Sequence, residues 1–291
     1  MGALGIAMPM LMLASASASA FPNIGVNLKE AIQKQGEVAG KPGIGPDFRF
    51  GILGSFEFQA SGHRFQADWR NVLDRIRLEA DEYAKCDLQL AGCNPAVGKW
   101  RKLVAGLKGQ PAEMQLAQLN KAINRMATYA DDSRTFGKKD HWATPIEFLQ
   151  GKADCEDYAT VKFWSLLELG YRDDQLRLAV VRDRRRGIMH AVVTVDLGDR
   201  KVILDSLFNH VVDERYVLKY APVFSANLQN QYAHIVSKQI RVAYLDRIEE
   251  RERRQVIKAA ASRPVNRARS DLPARKPVPV SLSQDAFVDW T

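Results

Sequence analysis

The sequence predicts an α+β fold, because segments with helical periodicity precede a run of strand-like segments. Apolar residues recur at helical spacing in segments 64–86 and 112–130, while residues 176–207 contain three strand-like stretches joined by turn-rich sequences. The chain has 291 residues, 46% of them hydrophobic and 26% charged, which is enough apolar material for a core. We therefore expect helices that accompany an antiparallel sheet.

The N-terminal segment predicts export. Residues 1–20 carry no charged side chain and end in Ala18-Ser19-Ala20, a small-x-small cleavage signature. We interpret them as a secretory signal peptide cut before Phe21, although the usual positive residues at its start are missing. A buried N-terminal helix is the alternative. No other stretch approaches the roughly 18 to 20 apolar residues of a membrane helix, so we expect a periplasmic protein without a membrane span.

The next elements form the predicted core. Residues 48–53 are strand-like and lie between turn signals, and segment 64–86 is an amphipathic helix. Segment 112–130 repeats the helical pattern, with apolar residues three or four apart: Leu116, Leu119, Ile123, Met126 and Tyr129. These apolar stripes predict helix faces that pack in the interior.

Two helix starts follow each other closely. In residues 143–151, Thr144 is the predicted N-cap, Pro145 takes the first helical position and Glu147 the third. Asp154 is the next predicted N-cap, which places Cys155 at the first position of a helix of about four turns. A thiol at a helix N-terminus faces unpaired N–H groups, which favour the thiolate.

Strand-like segments and a charged C-terminus complete the chain. The strands are predicted at residues 176–182, 188–197 and 201–207. A charged helix begins near residue 245 and leads into a basic, Pro- and Ala-rich tail, which we interpret as solvated, with a docking role as the alternative. An exported protein meets little nucleic acid, so we expect no nucleic-acid partner. The predicted organisation is a signal peptide (1–20), one domain (21–245) and the charged helix with its tail (246–291).

The three cysteines divide into a pair and a single residue. Cys86 and Cys93 are seven residues apart and can close a small disulfide loop in an oxidising compartment. Cys155 is left over, and an odd cysteine in an exported protein is either an intermolecular partner or a thiol kept for chemistry. A buried inert cysteine is the alternative, which the charged neighbours of Cys155 disfavour.

His190 and Asp205 are the best partners for such a thiol. Of the five histidines, only His190 lies inside a convincing strand. If residues 188–205 form a hairpin whose loop is Asp196 to Asp199, His190 faces Asp205 directly across the ladder. A carboxylate there can hold one imidazole nitrogen and leave the other for the sulfur. Taken singly, His190 could be a core histidine and Asp205 a strand-end cap.

These residues carry a resemblance to a known family. "GKADCEDYA", "HAVV" and "ILDSL", in the order Cys, His, Asp, and the lead-in "FGKKDHWATPIEFLQ" resemble the bacterial transglutaminase-like cysteine proteinases. The similarity covers roughly residues 45–240 of the printed sequence. Ala153 stands where that family usually has glycine, and the N-terminal stretch and the basic C-terminal extension are additional.

The resemblance implies a papain-like or transglutaminase-like core, in which a helix with the nucleophile packs on an antiparallel sheet with His and Asp. It implies that Cys155 is the nucleophile, His190 the base and then the acid, and Asp205 the residue that orients the histidine. It also implies a calcium ion near the nucleophile, with Asp154 and Glu156 as matched ligands. The other candidate ligands are Asp131 and Asp132. Alternatively, Asp154 and Asp157 only cap the helix, and Glu156 only complements its dipole.

The resemblance further implies a calcium-dependent periplasmic cysteine endopeptidase that cleaves a large surface adhesin. Members of this kind are controlled by an inner-membrane receptor for cyclic-di-GMP. A transglutaminase or a cell-wall amidase with the same Cys155, His190 and Asp205 is the alternative, and a binding module with a vestigial site is a third. The intact set of three residues disfavours the binding module.

Overall fold

The computed structural model describes residues 50–60 and 64–261. The predicted signal peptide and the basic tail beyond residue 261 lie outside the described residues. Two units divide within the C-terminal helix, one ending at Arg247 and the other beginning at Ile248. The described part of the second unit is helical, with one ion pair between Arg253 and Glu249 and another between Arg254 and Glu250.

The described helices and strands follow the predicted order, with helices first and most of the sheet later. The helices are α1 (Arg64–Leu78), α2 (Ala80–Asp87), α3 (Pro95–Leu107), α4 (Ala112–Ile123), α5 (Asp132–Thr135), α6 (Pro145–Phe148), α7 (Cys155–Glu168) and α8 (Lys238–Ala261). The strands are β1 (Phe56–Gln59), β2 (Thr128–Tyr129), β3 (Lys152–Ala153), β4 (Leu176–Asp183), β5 (Ile188–Asp196), β6 (Lys201–Leu204), β7 (Val212–Asp213), β8 (Tyr220–Ala226) and β9 (Gln231–Ile235). None of the described helices is long and apolar enough to cross a bilayer.

Seven strands form one antiparallel sheet in the order β1-β9-β8-β4-β5-β6-β7. The strands β2 and β3 form a separate short parallel pair that leads directly into α7. The predicted α+β class is therefore confirmed.

Both faces of the central sheet are buried. In β5, Ala191, Val193 and Val195 join the larger cluster, which also contains core residues of α1, α3, α4 and α7. Val192, the intervening residue, joins a smaller cluster with Tyr220 on β8. This alternation follows from the two-residue period of a strand and explains why β5 is apolar almost throughout. Helix α7 thus packs on the face to which Ala191 belongs.

Three predicted helices differ in the structure, and one of them, the charged helix predicted from about residue 245, begins at Lys238. Segment 64–86 forms two helices separated at Glu79, rather than one. Helix α4 ends at Ile123, and residues 128–129 pair with β3 instead of continuing the helix. The prediction that Tyr129 is a core residue was wrong, because this pairing leaves its side chain 57% exposed. Local periodicity could not show this pairing, which joins residues distant in sequence.

The predicted register of the β5–β6 hairpin was wrong by two residues. Asp196 pairs with Lys201 and Val193 with Leu204, and the turn is closed by a 2.9 Å hydrogen bond from Leu197 N–H to the Arg200 carbonyl. A shift of two residues leaves every side chain on its original face. Asp205 therefore lies just beyond the end of β6, diagonal to His190 rather than opposite it.

Candidate active site

Cys155 begins helix α7, as predicted from its flanking acids. Asp157 caps the N-terminus of this helix, since its Oδ2 accepts a 3.2 Å hydrogen bond from the Asp154 N–H. The other oxygen of Asp157 accepts a 2.7 Å bond from Ala143 N–H, which ties α7 to the start of α6. The predicted Thr144–Glu147 capping box is present on α6. The position of Cys155 is thus fixed by two successive helix starts.

His190 and Asp205 form a buried hydrogen-bonded pair. The Nε2 atom of His190 lies 2.8 Å from Oδ1 of Asp205, and the residues are 4% and 0% exposed. Oδ1 also accepts a 2.9 Å bond from Leu207 N–H, and Oδ2 accepts a 2.5 Å bond from the Tyr220 hydroxyl. Burial by itself would raise the pKa of Asp205, but His190, Tyr220 and Leu207 together hold it below its usual value. Asp205 is therefore held as a carboxylate.

The free thiol lies beside the strand that carries His190. The Ala191 backbone N–H faces Sγ of Cys155, and the thiol donates a 3.2 Å hydrogen bond to Oε2 of Glu156. Burial, followed by the charges of Glu156 and Asp154, raises the pKa of Cys155. Among the described residues, Nε2 of His190 is paired with Asp205 and the Nδ1 atom makes no hydrogen bond. Nδ1 is thus the nitrogen available to the thiol.

Five carboxylates gather around the first turn of α7. Ligand atoms of Asp132, Asp154 and Asp157 lie within 4.8 Å of one another, and so do those of Asp132, Asp140 and Glu156. Burial and the neighbouring Glu156 charge raise the pKa of Asp154 to about 9. Burial and the charge of Asp154 raise the pKa of Asp157 to about 8. Burial and mutual repulsion therefore make the ionised forms of Asp154 and Asp157 costly in the metal-free protein.

The donor atoms of this cluster fit a hard cation. Oδ1 of Asp132 and Oδ1 of Asp154 are buried without a hydrogen-bond partner among the described residues, although Oδ2 of Asp132 accepts from His141 N–H. Ca²⁺ takes six to eight oxygen ligands, and closely spaced carboxylates with backbone carbonyls supply them. The orphaned oxygens are therefore suited to calcium.

The predicted metal ligands are partly brought together. Asp132, Asp154 and Glu156 lie in the acidic cluster, whereas Asp131 is exposed at the N-cap of α5 and belongs to neither group. Asp140 and Asp157 also lie in the two groups, although the sequence reasoning did not consider Asp140 and considered Asp157 only as a cap. Asp140 stands in the lead-in "KKDHWATP", which was the available signal.

Two buried residues behind the His190–Asp205 pair were also missed. Tyr220 is fully buried on β8 and donates to Asp205. Lys162 on α7 is 1% exposed, and its Nζ has no hydrogen-bond partner among the described residues. Burial lowers the pKa of Lys162 to about 7, while the charge of Asp205 acts in the opposite direction. The only sequence signal for Lys162 is a lysine within an apolar helix.

Tyr220→Phe should lower kcat for peptide cleavage about tenfold and leave KM nearly unchanged, because Asp205 loses a charge-assisted hydrogen bond. Steady-state kinetics with a fluorogenic peptide would measure this, together with a thermal melt. Tyr216→Phe is the matched control, since Tyr216 is 76% exposed. Equal kcat values for the two variants would contradict a role of Tyr220 in positioning Asp205.

A free thiol at a helix N-terminus, packed on an antiparallel sheet that carries a His–Asp pair, defines a cysteine peptidase of the transglutaminase-like class. The model of the family described as "bacterial transglutaminase-like cysteine proteinase" matches residues 83–238 of this chain. The chain belongs to this family.

Among solved structures, the chain is similar to LapG of Legionella pneumophila in three forms. The calcium-bound form is 27% identical, with a TM-score of 0.44, and the match covers 53% of this chain and 89% of that one. A second LapG structure is 24% identical, with a TM-score of 0.46 and coverage of 59% and 96%. The EGTA-treated form is 25% identical, with a TM-score of 0.46 and coverage of 58% and 96%. The comparison with curated proteins gives no match.

Proposed function

We propose that the protein is a calcium-dependent periplasmic endopeptidase that cleaves a large surface protein, an adhesin, with Cys155 as nucleophile. The observation that carries the proposal is the hydrogen-bonded series from His190 through Asp205 to Tyr220 beside a free thiol at a helix start. Such a series fixes the orientation and tautomer of an imidazole, as general base catalysis requires.

The proposed mechanism is acyl transfer through His190. The Asp205 carboxylate accepts a hydrogen bond from Nε2 of His190, so the neutral imidazole carries its proton on Nε2. The unprotonated Nδ1 can then take the proton of the Cys155 thiol. The sulfur then attacks the substrate carbonyl, and the Cys155 backbone N–H, at the first helical position, donates to the oxyanion. The proton on Nδ1 passes to the leaving amine, and a water activated by the same nitrogen hydrolyses the thioester.

Glu156 opposes this mechanism unless its charge is compensated. The thiol donates to Glu156, and this carboxylate contributes to the raised pKa of Cys155 after burial. Calcium held by the acidic cluster of Asp132, Asp140, Asp154, Glu156 and Asp157 would supply positive charge beside the thiol. This proposed set adds Asp140 and Asp157 to the predicted ligands and leaves out Asp131, which belongs to neither group.

Features of the chain support the proposed compartment, and the family resemblance supports the proposed partners. A Cys86–Cys93 disulfide, present in the structure, suits an oxidising compartment, as does the uncharged segment 1–20. An adhesin substrate and control by an inner-membrane cyclic-di-GMP receptor rest on the resemblance over residues 45–240 to periplasmic members of the family.

Incubation with purified large surface proteins of the producing bacterium tests the proposal, with N-terminal sequencing of the fragments. The matched control is the same protein alkylated with iodoacetamide, because Cys155 is the free cysteine and the other two are bonded. We expect discrete fragments with calcium, and none after alkylation or with excess chelator. Cleavage by the alkylated protein would contradict the nucleophile. Crosslinked products without fragments would instead indicate a transglutaminase, and release of cell-wall peptides alone an amidase.

A further inference from the structure

Four cations form a surface at the end of the sheet that carries His190, and we call it the cationic lip. It consists of Arg184, Arg185 and Arg186 in the β4–β5 turn and Lys219 just before β8. The three arginines are exposed. A 3.0 Å hydrogen bond from Arg184 N–H to the Lys219 carbonyl joins the two segments.

The turn that presents the arginines is well defined. Oδ1 of Asp183 accepts hydrogen bonds from the backbone N–H groups of Arg185 at 3.0 Å and Arg186 at 3.2 Å. Gly187, with a φ of 70°, then returns the chain to β5. Because the backbone is held in this way, the arginine side chains project from a fixed turn.

Positive charge in the lip exceeds its local compensation. Lys219 Nζ lies 3.6 Å from Oδ2 of the buried Asp183, while neither Arg185 nor Arg186 has an ion pair among the described residues. Arg241 donates a 2.8 Å hydrogen bond to the carbonyl of Tyr220. Burial lowers the pKa of Arg241, and the charge of Arg184 lowers it further. Neighbouring cations that repel one another favour an anionic ligand.

The lip lies beside Tyr220, the residue that donates a hydrogen bond to Asp205. Lys219 Nζ is 4.7 Å from the ring centroid of Tyr220 and 5.2 Å from that of Phe208. The pKa of Tyr220 is raised by burial and by Asp205, and the charge of Arg186 opposes this rise, so Arg186 also lies near Tyr220. The cations therefore lie next to Tyr220, whose ring is 5.7 Å from the imidazole of His190.

The proposed peptidase mechanism indicates which part of the substrate lies near the cationic lip. His190 must donate its proton to the leaving amine, so the segment C-terminal to the scissile bond lies on the histidine side of the thiol. The acidic cluster, which would hold calcium, lies on the thiol side, beside Cys155. Ile188 and Met189, which are 43% and 48% exposed, add apolar surface between the turn and His190.

We propose that the cationic lip binds acidic residues in the substrate segment that follows the scissile bond, so that the enzyme prefers sites with acids on that side. This inference rests on the proposed endopeptidase activity for its direction along the substrate. Binding of an acidic peptide does not require turnover, so it can be measured separately.

The binding test uses the full chain with Cys155→Ala, in calcium, and a short fluorescent peptide of alternating glutamate and serine. Adding Arg185→Glu and Arg186→Glu should weaken binding about tenfold, and salt should weaken it in the parent protein. The matched control is Lys99→Glu with Lys102→Glu, the same charge change on exposed lysines of α3, which should change affinity less than about twofold. Equal losses in the two variants, or equal parent affinity for a glutamine–serine peptide, would overturn the proposal.

The cleavage test uses active protein on a mixture of peptides from a digested proteome. Acidic residues should be enriched after the cleaved bond, and the enrichment should disappear in the lip variant but persist in the Lys99 and Lys102 control. Failure of the parent enzyme to cut any peptide would contradict the proposed function, while the binding measurement would still decide on the lip. If the lip variant lost affinity only for phosphatidylglycerol vesicles and kept its peptide affinity, the lip would be a membrane contact and the proposal wrong.

Discussion

Cys155→Ala should abolish peptide cleavage, with kcat/KM lower by about 10⁴- to 10⁶-fold, the scale on which removal of a nucleophile acts. The reason is that Sγ lies at the α7 N-terminus beside the strand of His190, where the Ala191 N–H faces it. Folding should survive, because alanine suits a first helical position and the disulfide lies elsewhere. Kinetics on a fluorogenic peptide and a thermal melt would measure the two effects.

Cys155→Ser is the sharper companion variant. A serine hydroxyl can keep the hydrogen bond to Glu156, but its proton is far harder to transfer to His190. We expect nearly the same loss of kcat/KM as for alanine, with substrate binding to the serine variant intact. Residual cleavage by Cys155→Ala above about one part in a thousand would be inconsistent with covalent catalysis by this thiol.

The parts of the site that follow from short-range chemistry could be predicted from the sequence. Thr144, Pro145 and Glu147 carry a complete capping signature, and Asp154 before Cys155 starts the next helix, so both helix starts appear where expected. Each of these signals involves residues within one turn of one another. Placing Cys155 at the start of α7 therefore required no knowledge of the rest of the chain.

Contacts between distant segments could not be predicted in this way. The predicted hairpin register was wrong by two residues, and a shift of two residues keeps each side chain on the same face of the strand. For this reason alone, the prediction still placed His190 and Asp205 close together. An error of one residue would have separated the two side chains. Tyr220 reaches Asp205 from β8, a strand for which the sequence reasoning had no assignment, so its hydroxyl was invisible as a partner.

The acidic cluster illustrates the same limit. The family resemblance predicted Asp154 and Glu156, which flank Cys155, as ligands, but the choice between Asp131 and Asp132 depends on the orientation of a short helix. In the structure Asp132 is 3% exposed and faces Asp154, whereas Asp131 is exposed. Adjacent residues on a helix point in directions about 100° apart, so neighbours in sequence do not share a site.

Removing calcium should both inactivate the enzyme and lower its melting temperature by about 10 °C. A cation at 1,000 times its Kd stabilises the folded state by about 4 kcal/mol, and each kcal/mol shifts the melting temperature of a protein of this size by about 2–4 °C. The physical reason is that the clustered carboxylates, two of them with orphaned buried oxygens, repel one another without a cation. Differential scanning fluorimetry with calcium and with chelator would measure the shift.

The pH dependence of this shift has a definite sign. Burial raises the pKa of Asp154 to about 9 and of Asp157 to about 8 in the folded protein, above their ordinary value of 3.8. The folded, metal-free state therefore binds more protons than the unfolded chain, and it loses stability as pH rises from about 4 towards 9. The melting temperature in chelator should fall between pH 5 and pH 8, and the gain from calcium should widen over the same range.

Asp132→Asn and Asp131→Asn form a matched pair for this prediction, since both remove one charge from adjacent residues. Asp132→Asn should remove most of the calcium-induced shift and weaken calcium activation, because its buried Oδ1 is an orphaned donor atom of the cluster. Asp131→Asn should retain both, because that side chain is exposed and outside the cluster. A melting temperature indifferent to calcium, or equal effects of the two variants, would show that these carboxylates do not form the metal site. In that case the raised pKa of Cys155 would need another source of positive charge, and Lys162 beside Asp205 would be the buried cation to test next.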